Sequence, residues 1–170
     1  AGKVLVERGA SIATHTPAVS TDAGGYALLL GNEVQNDGSI STAKGQTVLA
    51  AGDRFYIRKG SGTEGNALST TFGSEVTPGF KAGAVAGKVT NNGLIQSATG
   101  DITLAGHEVV QNGVLLASTS VSTRGTIHLS NPSTDSTGSV TLGQGSATAI
   151  MLDSSDLTAL DSQRDAALIA

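Results

Sequence analysis

Short apolar runs separated by glycine or asparagine-glycine turns fill most of the chain, and one arrangement of them occurs twice. The stretch 34–52 reads VQNDGSISTAKGQTVLAAG and the stretch 89–106 reads VTNNGLIQSATGDITLAG. Val34 and Val89, Asn36 and Asn91, Gly38 and Gly93, and Gly45 and Gly100 each stand 55 positions apart. A shorter recurrence of 20 residues relates Leu28 to Val48, Val89 to Val109, Asn92 to Asn112, Gly93 to Gly113 and Ile95 to Leu115. Inside the runs apolar and polar positions alternate, the period-two signal of a half-buried strand. Strands are expected within 2–13, where Val4 and Val6 alternate with Lys3, Leu5 and Glu7, at 26–30, around Val34, and near Ile40. Others are expected at 48–50, 125–130, 139–142 and 148–152, while the turn-rich stretches 15–25 and 131–138 read as surface loops.

Twenty residues suffice for three short strands and three bends. A strand rises about 3.3 Å per residue and its neighbour in a sheet lies about 4.8 Å away, so each such unit brings the chain back one strand spacing above its start. Copies of each strand then stack in parallel, and inward Val, Leu and Ile are buried against the copies above and below. Isolated hairpins at the Asn-Gly pairs are the alternative and predict antiparallel neighbours; the 20-residue recurrence favours stacking. The bends fall at Asn36, Gly38, Gly45, Asn91, Asn92, Gly93, Gly100, Asn112 and Gly113. Glycine is expected there for its access to positive φ, and the asparagine amides for their capacity to stack in a ladder. Val89, Ile95, Ile102 and Leu104 form the inward set of the second copy, and Ile40 and Val48 to Ala50 that of the first. Ser39, Ser41, Thr47, Thr103 and Thr141 are expected to face out. The expected fold is thus an all-β parallel solenoid, a β-helix of about 20 residues per coil. Residues 1–170 would form a single segment of it, interrupted by an extra-helical insert at about 53–80.

Composition narrows this picture. The 170 residues are 38% hydrophobic and 14% charged, with 23 Gly and 3 Pro, which suits short strands joined by glycine turns. Cysteine is absent, which excludes a disulfide framework and thiolate chemistry. A net charge of −4 gives no basic footprint for nucleic acid. No stretch of about 18 apolar residues offers a membrane-spanning helix. The start AGKVLVERG lacks Met and the layout of a signal peptide, and the end is an apolar run, so the sequence reads as a fragment of a longer chain.

Candidate chemistry is sparse. Gly60, Gly62 and Gly65 satisfy GxGxxG, but NALSTTFGS after them is a poor helix and no acid lies near position 85, so a dinucleotide site is not expected. His15, His107 and His128 have no metal-binding spacing, and His128 should face out between Ile127 and Leu129. Asp153, Asp156, Asp161 and Asp165 carry oxygen ligands but no calcium repeat, and read as a solvated loop. Polysaccharide-cleaving β-helices need clustered carboxylates, and Asp101 is the single acid on the repeated strands. No catalytic residue, metal or cofactor is expected. The insert is the best place for contacts, because four of the five aromatics and four of the ten Lys/Arg lie between 53 and 81. Arg54, Phe55, Tyr56, Arg58, Lys59 and Phe72 are the candidate ligand or partner contacts. The competing reading has the same arm fold back and cover a flank of the stack with its aromatics.

The runs GSISTAKGQTVLAAG and GDITLAG, the segment AGDRFYIRKGSGTEGN, the words STRGTIHLSN and GSVTLGQGSATAI, and the closing TALDSQRDAALI resemble filamentous-haemagglutinin-type exoproteins of the bacterial two-partner secretion pathway. The resemblance extends from about Tyr26 onward; the TRGTIHL and LDSQRD words are its most specific part. It implies a right-handed parallel β-helix, export through a dedicated outer-membrane transporter, and a place on or near the cell surface in an adhesin or a contact-dependent weapon. A host or neighbouring-cell receptor or glycan would then be a partner. The family as a rule also lacks cysteine, consistent with threading the transporter unfolded, and its amino-terminal secretion domain has no counterpart in this sequence. A β-helical polysaccharide-processing enzyme, and a glycan- or receptor-binding module using the insert, remain the alternatives.

Overall fold

The computed structural model describes residues 2–18, 24–60, 73–81, 87–120 and 124–153. They form sixteen strands and, among the described residues, no helix. In chain order the strands are β1 (Lys3–Val6), β2 (Ser11–Ala13), β3 (Tyr26–Gly31), β4 (Glu33–Asn36), β5 (Ser39–Ser41), β6 (Gln46–Ala51), β7 (Arg54–Lys59) and β8 (Ser74–Gly79). They continue with β9 (Lys88–Asn91), β10 (Leu94–Ser97), β11 (Asp101–Ala105), β12 (Glu108–Gln111), β13 (Val114–Thr119), β14 (Thr126–Ser130), β15 (Ser139–Leu142) and β16 (Ala147–Leu152). Three sheets, ordered β1-β4-β9-β12-β15, β2-β5-β10-β13-β16 and β3-β6-β11-β14, contain only parallel pairs. The chain visits them in a fixed order, giving four successive rounds and, in β15 and β16, the start of a fifth.

Six of the eleven parallel pairings have the registers of the sequence recurrences. Leu28 pairs with Val48, Val89 with Val109 and Ile95 with Leu115, all 20 apart. Val34 pairs with Val89, Ile40 with Ile95 and Leu49 with Leu104, all 55 apart. The 35 extra residues lie between Ala51 and Lys88, where the offset changes from one value to the other. Longer connections raise the offset elsewhere: Lys3 pairs with Glu33, Ser11 with Ser39, Asp101 with Thr126, Glu108 with Ser139 and Val114 with Ala147.

The core follows from this stacking. Val34, Val89 and Val109 in the first sheet, Ile40, Ile95 and Leu115 in the second, and Leu49, Ile102 and Leu104 in the third are buried in one cluster. Each apolar side chain covers its counterpart one round away, so the hydrophobic contribution of about 25 cal/mol per Å² is gained on two sides. At the far end Val140 continues the Val34-Val89-Val109 column, Leu142 follows Gln111 and Ile150 follows Ala117, and these three stay 41–60% exposed. Outside, Lys3 bridges Glu33 (2.9 Å) and Lys88 bridges Glu108 (2.7 Å), and Glu33 pairs with Lys88 in register, so the charge sign alternates along the first sheet.

Two rows of polar side chains follow the same axis. In the buried row, Asn36 Nδ2 donates to Asn91 Oδ1 (2.8 Å), Asn91 Nδ2 donates to Gln111 Oε1 (2.8 Å), and Gln111 Nε2 donates to the Gly113 and Ala147 carbonyls. In the exposed row, Asn112 Nδ2 donates to Asn92 Oδ1 (3.0 Å) and Asn92 Nδ2 to Asp37 Oδ1 (2.7 Å). The amides of Gln35 and then Asn92 hold the Asp37 carboxyl below its ordinary value. The four expected ladder asparagines therefore divide between two ladders, inner for Asn36 and Asn91 and outer for Asn92 and Asn112. Consecutive residues Asn91 and Asn92 take opposite sides because the strand pleat alternates.

The bend glycines serve a different purpose from the one expected. Gly38, Gly45, Gly93, Gly100 and Gly113 do not have left-handed φ; in those bends Lys44 (φ 53°) and Thr99 (φ 49°) do. What the glycines supply is closeness: a Cβ on Gly93 would lie 2.1 Å from the Gly38 carbonyl oxygen, and one on Gly113 2.1 Å from that of Gly93. The rounds approach through bare backbone.

The third sheet is buried on both faces at β6, all six of whose residues are buried. β7 and β8 form an antiparallel hairpin that pairs Arg54 with Gly79 and Lys59 with Ser74. Its Val76 and Phe55 pack on Leu28, Leu30, Val48, Ala50 and Ala105. Val48 and Ala50 thus face the hairpin, away from the main core, while Leu49 and Ala51 face in. Thr47, expected outside, is fully buried and its hydroxyl lies 2.8 Å from that of Thr42. The run QTVLAA looks uniformly buried because it is covered twice.

Candidate functional site

Two polar clamps fix the hairpin over the third sheet. The buried Gln46 side chain accepts from the Ser74 N–H (2.9 Å) and donates to the Ser74 carbonyl (2.6 Å), so it pairs with the edge of β8 as a strand residue would. At the hairpin base, Asp53 accepts from the Lys81 N–H (2.9 Å) and from Asn32 Nδ2 (3.1 Å). The Lys81 bond is the main reason its carboxyl lies below the ordinary value. Phe80 then meets the His107 ring edge to face, with centroids 6.1 Å apart.

Between β8 and the outer face of β11 and β14 this leaves a groove of about 290 Å³. One wall is Arg58, Glu75, Thr77 and Pro78; the floor is Thr103, Ala105, His128 and Ser130; the far rim is Asn131, Pro132 and Ser133. Arg58 and Glu75 face each other across the hairpin and bond twice, Nε to Oε2 (3.1 Å) and Nη2 to Oε1 (2.7 Å). That fork is the first reason the Glu75 carboxyl stays below its ordinary value; His128 acts in the same direction. His128 Nε2 sits 3.1 Å from Thr126 Oγ1. The rim is held by Asn131, whose Nδ2 donates to the Gly106, His107 and Ser139 carbonyls. His107 Nδ1 lies 2.7 Å from Asp135 Oδ2 and holds that carboxyl below its ordinary value.

The floor changes character along each outward column. Leu28 and Val48 lead to Thr103 and His128, and Leu30 and Ala50 lead to Ala105 and Ser130. The columns are apolar where the hairpin covers them and carry hydroxyl or imidazole groups where the groove opens.

Of the expected contact residues, Arg54, Tyr56, Arg58 and Lys59 are exposed on β7, but Arg58 alone lines the groove. Phe55 packs against the third sheet, Tyr56 and Ile57 stay 60% and 54% exposed, and Phe72 lies outside the described residues. His128 is on the outer face of β14, and Thr103 faces out beside it. Asp101 is fully buried and accepts a hydrogen bond from Thr126, so it presents no acid to solvent. Gly62 and Gly65 of the glycine motif, and Asp156, Asp161 and Asp165, lie outside the described residues; Asp153 N–H donates to the Thr119 carbonyl. Glu75, Ser130 and Asn131 are not expected as a group from the sequence. The detectable signal is ITLAG at 102–106 against IHLSN at 127–131, which places Thr103 and His128 at one position of adjacent rounds.

The fold and site together define an all-β protein of stacked parallel sheets with a hairpin-walled polar groove on one flank. Among the described residues no group of three or more His, Asp or Glu side chains is placed to hold a metal ion. No helix among them is long and apolar enough to cross a membrane. The chain matches no family model, no curated protein and no solved structure.

Proposed function

We propose that this chain is a segment of the structural shaft of a secreted bacterial surface exoprotein of the filamentous-haemagglutinin type, folded as a right-handed parallel β-helix of about 20 residues per coil. The observation that carries the reading is that the same columns persist from round to round although the connections differ in length. Val34, Val89 and Val109, and Asn36, Asn91 and Gln111, occupy the same two columns, so each round does the same mechanical work as its neighbour. The exposed inward positions Val140, Leu142 and Ile150 are what a further stacked round would cover. The absence of cysteine in the sequence fits passage through an outer-membrane transporter in an unfolded state. A polysaccharide-cleaving enzyme is the weaker reading: hydrolysis of a glycosidic bond uses a pair of carboxyl groups, whereas Glu75 is the one carboxylate in the groove lining and is tied to Arg58.

Grafting the chain into a two-partner exoprotein in place of an equal length of its shaft tests the proposal. Export to the cell surface with the distal part still displayed is the expected result. Retention in the periplasm, or release of reducing ends from polysaccharides by the isolated chain, overturns it.

A further inference from the structure

We propose that Asn92 and Asn112 are the deamidation sites of this chain, that stacking of the rounds holds both closed, and that Asn112 opens first. This is chemistry a shaft does not call for. Of the seven asparagines in the sequence these two alone precede glycine. In such a pair the glycine nitrogen attacks the asparagine Cγ: the N–Cγ bond forms, the Cγ–Nδ2 bond breaks, and the glycine amide proton leaves with ammonia. Water then opens the cyclic imide at either carbonyl, leaving aspartate or isoaspartate. The net change consumes water and releases ammonia, with no oxidant or reductant. Glycine suits the attack because no Cβ crowds its nitrogen, and the fold itself requires glycine there, since a Cβ on Gly93 or Gly113 would strike the round below.

Both side chains are exposed to water, yet neither pair is free to react. Gly93 N–H donates to the Asn36 carbonyl (3.0 Å) and Gly113 N–H to the Asn91 carbonyl (2.9 Å), so each attacking nitrogen is tied to the round below. Each target amide is tied as well, Asn92 Nδ2 to Asp37 and Asn112 Nδ2 to Asn92. The reaction therefore waits on local separation of rounds.

The two separations differ. Freeing Gly93 parts the third round from the second, and the hairpin straps these together: Val76 and Phe55 pack across Leu28 of β3, Val48 of β6 and Ala105 of β11. Freeing Gly113 parts the fourth round from the third. The fourth round contributes nothing to that apolar patch and meets the hairpin base through the Phe80–His107 ring contact. Beyond it stand the exposed Val140, Leu142 and Ile150, so this end of the stack opens more readily. Conversion then hinders restacking. As aspartate, residue 112 has no amide to donate to Asn92 Oδ1, and residue 92 would set a carboxylate against Asp37 where an amide now donates at 2.7 Å. The outer row thus keeps a chemical record of time spent unstacked.

The test is peptide mass spectrometry on the whole wild-type chain aged in neutral buffer, folded in one sample and fully unfolded in urea in another, with aspartate and isoaspartate quantified at every asparagine. Dividing each site's folded rate by its own unfolded rate removes differences in intrinsic reactivity. A third sample, in urea below the unfolding midpoint, raises slow folded rates until both sites can be ranked. The expected result is conversion of Asn92 and Asn112 ahead of every other asparagine in full urea, at least tenfold slowing of both in the folded chain, and a smaller ratio at Asn92 than at Asn112. Earlier conversion at another asparagine overturns the assignment of the sites. Slowing of less than tenfold at either site overturns closure by stacking, and a ratio at Asn92 equal to or above that at Asn112 overturns the order set by the hairpin.

Discussion

Replacing Asn91 with alanine and, separately, its neighbour Asn92 with alanine makes the same chemical change on two sides of one strand. Asn91 is fully buried; its Oδ1 accepts from Asn36 and its Nδ2 donates to Gln111 and to the Gly93 carbonyl. Truncation leaves Asn36 Nδ2 with one long contact, 3.4 Å to the Leu94 carbonyl, and takes from Gln111 Oε1 the amide that donates to it. Orphaning a buried polar group costs about 1–3 kcal/mol, so two orphans and a small void give about 3–5 kcal/mol. That is a large share of a net stability of about 5–15 kcal/mol. Asn92 bonds Asp37 and Asn112 in water, where the groups it releases are rehydrated, and its loss should cost no more than about 0.5–1 kcal/mol. Urea unfolding followed by circular dichroism measures both. A gap of at least about 2 kcal/mol between the variants is expected; a pair of midpoints that coincide with unchanged slopes would refute the buried ladder as a source of stability.

Removing the 35 residues 53–87 joins Gly52 to Lys88 and restores the 20-residue register, so the shortened chain should keep its β spectrum in circular dichroism; loss of that spectrum would contradict the stacking of β4 on β9. The 35-residue deletion also bares Leu28, Leu30, Val48 and Ala50 and should lower solubility, read by sedimentation of the soluble fraction. Gly93→Ala forces a Cβ against the Gly38 carbonyl and should cost about 1–3 kcal/mol in the same urea assay; a neutral effect would remove close stacking as the reason for that glycine. For pH, the Asp135 carboxyl is depressed below 3.8 chiefly by His107, so its contribution is complete at neutral pH and lost as pH falls through the depressed value. Wild type should therefore exceed Asp135→Asn in stability at neutral pH, and the gap should close in acid; a gap independent of pH contradicts the pairing.

The parallel stacking is legible in the sequence because one round repeats the next in both spacing and residue type: the intervals from Val34 to Val89 and from Asn36 to Asn91 are enough to fix the register. Parts of the fold that depend on a single insertion are not legible in this way. Val48 and Ala50 belong to a patch beneath the hairpin, and nothing in an unbroken run such as QTVLAA distinguishes burial on one face from burial on two. Gln111 continues a ladder begun by asparagines; its place two residues before Gly113 matches that of Asn91 before Gly93, but its residue type hides the equivalence. Turn chemistry alone assigns the bend glycines to positive φ, whereas the constraint is contact with the round below, which is not a local property of sequence. The groove is still less local. Arg58 and Glu75 come from the insert, Thr103 and His128 from two rounds, and Asn131 from a bend, so only the folded arrangement brings them to one place.

The stacking itself is open to one direct measurement, and the cysteine-free sequence makes it simple. Ser11, Ser39, Leu94, Val114 and Ala147 form one column across the second sheet, and its two ends are exposed. Spin labels at Ser11→Cys and Ala147→Cys, read by pulsed electron resonance, should be separated by four strand spacings, about 19 Å at 4.8 Å each, in a narrow distribution set by the label linkers. A much longer mean distance, or a broad distribution without a peak, would contradict parallel stacking of the rounds.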